Sequence, residues 1–162
     1  LYLPGEIDVR DVKPGDEVEY TIYFLSFGGK PASEVKICDV IPDNMTFVKD
    51  LYGVEEGIGL ELTTANPPST NPPSTQLSNV LGDETGSDQG TFYAPGTEPP
   101  AFCQKTVQPN SPGDPPVLVD ANSGNNVSGA IVVEINDPLP PAAASNTPPN
   151  SYGFIRFRAK VR

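Results

Sequence analysis

Histidine and tryptophan are absent from the 162-residue chain, methionine occurs once and cysteine only twice, at Cys38 and Cys103. Without histidine there is no H-E-x-x-H zinc site, no Ser-His-Asp triad and no Cys-His dyad, and two cysteines alone cannot close a four-ligand zinc site. Acid pairs such as Glu55-Glu56 and Asp83-Glu84 remain, but acids in turn-rich segments are ordinarily solvated. No enzyme, no catalytic residue and no obligatory cofactor are therefore expected. Positive charge is also scarce: 10 Lys and Arg stand against 21 Asp and Glu, a net charge of -11. Such a surface repels phosphate backbones and anionic headgroups, which argues against nucleic acid and membrane surfaces as partners. No apolar run approaches the ~20 residues of a membrane span. The start, Leu1-Tyr2-Leu3-Pro4, has neither the basic flank nor the cleavage region of a signal peptide, and because it begins at Leu1 without Met the chain reads as a processed product or a fragment of something longer.

Uninterrupted helical spacing is missing too, because 20 Pro and 15 Gly punctuate the chain. What is present instead is alternation. From Glu17 to Leu25, Val18, Tyr20, Ile22 and Phe24 share one face and Glu17, Glu19 and Thr21 the other, the pattern of a half-buried strand. A second strand turns Val35 and Ile37 one way and Lys36 and Cys38 the other, and runs to Pro42, which has no amide to donate. Thr46 to Leu51, Ile131 to Ile135 and Tyr152 to Val161 complete the set, the last with Ile155, Phe157, Ala159 and Val161 inward. Turn clusters such as Lys13-Pro14-Gly15-Asp16 separate them, and Asp16 is placed to accept a local backbone hydrogen bond that fixes the strand entry. Short strands between turn signals predict an all-β sandwich, one domain spanning residues 1–162.

The middle, from about Gly53 to Gly129, differs in composition and contains a tandem repeat, Asn66-Pro67-Pro68-Ser69-Thr70 followed by Asn71-Pro72-Pro73-Ser74-Thr75. Paired prolines favour solvated polyproline II backbone, so residues 53–129 are expected to be an irregular insertion that adds no core. A Pro-rich loop is expected over residues 136–151 on the same grounds.

Val12-Lys13-Pro14-Gly15-Asp16-Glu17-Val18-Glu19-Tyr20-Thr21-Ile22 resembles the conserved repeat domain of bacterial surface proteins catalogued as domain of unknown function eleven. That family follows V-x-P-G-D-x-V-x-Y-T-I with a glycine turn and then A-x-x-V-x-V-x-D-x-L-P, where this chain has Ala32, Val35, Ile37, Asp39, Ile41 and Pro42. The residues that carry the motif are Pro14, Gly15, Asp16, Val18, Tyr20, Asp39 and Pro42. The resemblance implies an immunoglobulin-like sandwich with a structural or adhesive role in a secreted or cell-surface bacterial protein, periplasmic or outer-surface exposure included. Its partners would be neighbouring domains of the same parent chain and cell-wall or extracellular protein or glycan.

Two other readings place function in the insertion, since loops on a rigid sandwich are where binding sits. One is a calcium site at Asp83, Glu84 and Asp88, although Asp83-Glu84-Thr85-Gly86-Ser87-Asp88 lacks the order of a calcium loop. The other is a carbohydrate or protein contact made by Tyr52, Phe92, Tyr93 and Phe102, the alternative being that these rings pin the long loop to the sandwich. An intramolecular Lys-Asn cross-link is not expected, because Lys36 and Lys160 face outward on their strands. Finally, an even pair of cysteines in a short, His-free extracellular chain predicts a Cys38–Cys103 disulfide that ties the insertion to the outer face of the second strand.

Overall fold

A computed structural model of the protein describes residues 11–62, 73–80, 89–103, 105–107, 117–119, 126, 128–141 and 151–162. Among these residues the fold is all-β, with two main antiparallel sheets, a separate two-stranded hairpin and one 3-10 turn at Ala101–Cys103. The strands are β1 (Glu17–Leu25), β2 (Val35–Val40), β3 (Met45–Phe47), β4 (Ile58–Leu62), β5 (Thr75–Leu77), β6 (Gly90–Tyr93), β7 (Lys105–Val107), β8 (Val117–Val119), β9 (Ala130–Ile135) and β10 (Tyr152–Val161). The larger sheet runs β1-β10-β4-β5, with β3 also paired to β10, the smaller runs β2-β9-β6, and β7 and β8 form a separate hairpin.

β10 is the hub of the larger sheet. Its Glu17↔Lys160 to Leu25↔Tyr152 register with β1 aligns Val18, Tyr20 and Ile22 with Ala159, Phe157 and Ile155 on the inward face, while Phe24 lies opposite Gly153. β4 pairs along its other side from Gly153↔Leu62 to Phe157↔Ile58. In the smaller sheet β9 is the middle strand, and Ile131, Val133 and Ile135 face inward opposite Asp39, Ile37 and Val35. The core lies between the sheets. Phe47 touches Phe92 at 4.5 Å and Phe157 at 6.3 Å between ring centroids, and so joins a side chain of the smaller sheet to the larger. Tyr20 stacks on Phe157 at 5.0 Å and its hydroxyl donates to Met45 Sδ at 2.8 Å. At the strand entry Gly15, with φ of 96°, donates its amide to the Val161 carbonyl, and Asp16 Oδ2 accepts from the Lys13 amide at 2.8 Å.

Four expectations need correction. The span 53–129 is not an irregular addition, because β4, β5 and β6 lie in it and supply Ile58, Leu60, Leu77 and Phe92 to the core. Nor is the end of the pentapeptide repeat merely exposed. Pro73 is fully buried, Thr75 opens β5 opposite Leu60, and the Ser74 amide donates to Glu61 Oε2 at 2.6 Å; the remainder of the repeat lies outside the described residues. The third strand ends at Phe47 instead of Leu51, because the chain turns at Lys49-Asp50, where Asp50 Oδ1 accepts from the Glu55 amide at 2.7 Å. In the stretch 136–151, Leu139 is buried and forms a lone bridge with Ala32, so proline does not keep the whole of it from pairing.

Candidate functional site

The outward face of the larger sheet follows from strand alternation. Arg156 and Arg158 on β10 meet Glu17 and Glu19 on β1: Arg158 Nη2 lies 3.1 Å and Arg156 Nε 3.4 Å from the two oxygens of Glu19, and Arg158 Nη1 is 3.6 Å from Glu17. At the other end this face is roofed over. Phe154 is fully buried, with the Arg156 guanidinium 4.7 Å from its ring centre. Gly59 has no side chain at a point where a Cβ would press on Pro73 and Tyr52, so the Tyr52 ring and Pro73 lie directly on the strand. Burial raises the Tyr52 pKa above its ordinary value, and its hydroxyl finds no hydrogen-bond partner among the described residues.

The outward face of the smaller sheet carries Lys36 and Cys38 on β2, Val132 and Glu134 on β9, and Tyr93 on β6. A segment from Ala94 to Cys103 is fastened beside it at two points. Asn126, buried, donates through Nδ2 to the carbonyls of Tyr93, Ala94 and Thr97 at 3.1, 3.1 and 2.9 Å and accepts the Gly129 amide on Oδ1 at 2.8 Å. The second fastening is covalent: Cys38 and Cys103 form a disulfide across 65 residues of sequence, with their Cα atoms 5.4 Å apart. Cys103 is presented by the 3-10 turn, whose Cys103 amide donates to the Pro100 carbonyl at 2.9 Å.

That clasp sets Phe102, 44% exposed, beside the sheet, with Lys36 Nζ 5.5 Å from its ring centre. Lys36 in turn bridges to Glu134 Oε2 at 2.8 Å, and this hydrogen bond raises the lysine pKa. Tyr93 lies close enough to Glu134 and Lys36 to feel both charges; burial first and Glu134 second raise its pKa, so the phenol keeps its proton at neutral pH. Next to them a shallow groove of about 380 Å³ is lined by Glu34, Val35, Lys36, Glu134, Ile135 and Asn136. An exposed ring, an ammonium, carboxylates and a protonated phenol together can hold a polar ligand by stacking and hydrogen bonding.

The four aromatic residues singled out in the sequence are thus divided. Tyr93 and Phe102 converge around Lys36, whereas Tyr52 belongs to the opposite face of the molecule. Phe92 is no surface contact at all, because it is 8% exposed and packs on Phe47 in the core. Asp83, Glu84 and Asp88 lie outside the described residues, and among the described residues no group of three or more metal-ligating side chains comes together. No described helix is long and apolar enough to cross a membrane. Sequence reasoning did not find Glu34, Glu134 or Asn136 as lining of the groove beside Lys36. Lys36 and Glu134 are 98 residues apart and meet only through the β2–β9 register, which no local pattern encodes. No protein-family model, curated protein or solved structure matches this chain.

Proposed function

We propose that the chain is an immunoglobulin-like structural or adhesive domain of a secreted or cell-surface bacterial protein, working as a non-catalytic module beside other domains of its parent chain. The observation that carries this reading is the Cys38–Cys103 disulfide. Such bonds persist in oxidising compartments and are rare where glutathione keeps thiols reduced, and this one fastens the 3-10 turn to β2. The all-β architecture and the motif from Val12 to Pro42 support the same reading. Fractionation of the source cells with an antibody to the domain tests it. Recovery outside the cytoplasm, with thiols that react only after reduction, is the expected result; a cytoplasmic protein with two free thiols would refute it.

A second reading rests on the exposed Phe102 beside Lys36 and Glu134. There the smaller sheet would contact an extracellular glycan or protein through the groove it lines with Glu34 and Asn136. A glycan array probed with the unaltered domain and with Phe102→Ala distinguishes this from a purely structural role: binding that the substitution abolishes supports the contact, and uniformly negative arrays remove its glycan form.

A further inference from the structure

The pattern Asn-x-Ser/Thr, with any residue but proline in the middle, occurs twice in the chain, at Asn44-Met45-Thr46 and at Asn126-Val127-Ser128. It is the acceptor pattern for attaching a glycan to the asparagine amide, and it works where that amide reaches the surface. The two copies have opposite surroundings. Asn126 is 4% exposed and Ser128 2%. The Asn126 Nδ2 is spent on the carbonyls of Tyr93, Ala94 and Thr97, and its Oδ1 on the Gly129 amide. A sugar on that nitrogen would replace a proton it donates and would have to enter a close-packed interior. The folded chain has no room for it there.

Asn44 is the reverse case. It lies in the turn that leads into β3, where the Met45 amide donates to the Pro42 carbonyl at 2.9 Å. Alternation then buries Met45 and Phe47 and leaves Asn44 and Thr46 exposed on either side of Met45. The backbone here is anchored without calling on the Asn44 side chain: the Asn44 carbonyl accepts the Arg162 amide at 2.9 Å, and Thr46 stands opposite Lys160 in the β3–β10 register. The Thr46 hydroxyl meets only an exposed contact, accepting from Arg162 Nε at 3.1 Å. A substituent on the Asn44 amide therefore displaces no core contact.

We propose that Asn44 is an N-glycosylation site, which receives a glycan from a polyprenyl diphosphate-linked donor as the chain is exported. In the transfer, Asn44 Nδ2 forms a bond to the anomeric carbon of the glycan. The bond from that carbon to the diphosphate oxygen breaks, its electron pair leaves with the polyprenyl diphosphate, and the nitrogen gives up one proton to a base of the transferase. Donors of this kind are presented on the outer side of the exporting membrane, so the inference rests on the extracytoplasmic part of the proposed function and goes beyond it.

Peptide mapping by mass spectrometry, on the protein recovered from the medium or surface of its source cells, tests the site. The peptide containing Asn44 should be heavier than its sequence by at least one sugar residue, and the peptide containing Asn126 should not. Asn44→Gln and Thr46→Ala should each abolish the increment, whereas Thr46→Ser should keep it. All three variants should still melt cooperatively, because the side chains they change are exposed. An Asn44 peptide at its bare sequence mass, in protein recovered outside the cytoplasm, overturns the inference and leaves the proposed function standing. A cytoplasmic protein with two free thiols overturns both. An increment that survives Asn44→Gln, or one that maps to Asn126, also overturns the assignment.

Discussion

Asp39 sits on the inward face of β2, in line with Val35 and Ile37. Burial raises its pKa above the ordinary 3.8, against a smaller opposing effect from the Val40 amide, and its charge, after burial, raises the pKa of the Tyr20 hydroxyl. A carboxyl that holds its proton more tightly when folded stabilises the fold below its unfolded pKa, and that contribution is lost as pH rises through the folded value. At neutral pH the group therefore works against the fold. Asp39→Asn should raise Tm by a few degrees at pH 7, and the advantage should vanish as pH falls below about 3.8, where the wild-type group is protonated in both states. Melts followed by circular dichroism across that range measure it, and an advantage independent of pH would count against the assignment. Gly153 is governed by space. A Cβ there would fall on the Glu61 carbonyl oxygen and 2.9 Å from Phe24 Cζ, and backbone cannot step aside cheaply. Gly153→Ala should cost ~1–3 kcal/mol, the usual range for overpacking, read as a lower urea midpoint.

At the level of elements, legibility followed local alternation. β1 and β10 were readable to the residue, and β9 to within one, because each carries its own period-two pattern. β4 was missed although Ile58, Leu60 and Leu62 alternate, because its outward positions hold Gly59 and a buried Glu61, and turn-forming residues surround it. Composition said loop; the partner strand β10, almost a hundred residues later, decided otherwise. Leu60→Ala should accordingly destabilise by ~2–5 kcal/mol, as for a core leucine, where an irregular insertion would tolerate it. The Cys38–Cys103 bond was readable from cysteine arithmetic and the outward direction of Cys38, but the groove lined by Lys36 and Glu134 was not, since those two become neighbours only through strand register. Closing 65 residues of chain should stabilise the fold by about 4 kcal/mol in the chain-entropy model, so Cys38→Ser/Cys103→Ser should lower the denaturant midpoint accordingly, and an unchanged midpoint would mean that the clasp is not formed.

For the molecule as a whole, the pairings that define the larger sheet are remote in sequence. β1 and β10 stand side by side, yet Glu17 and Lys160 bracket nearly the whole described chain. Loop-closure entropy opposes such contacts until late, so refolding of the oxidised protein should fall in the millisecond-to-second range of all-β domains, a figure stopped-flow fluorescence of the six tyrosines can check. Submillisecond refolding would contradict it. Direction of synthesis sharpens the point. β1, β3 and β4 all take β10 as a partner, and although β4 can pair with β5 earlier, the three acquire their common neighbour only when Tyr152–Val161 has been made. The keystone of the larger sheet is thus delivered after most of the strands it holds, and until it arrives they stay a thread.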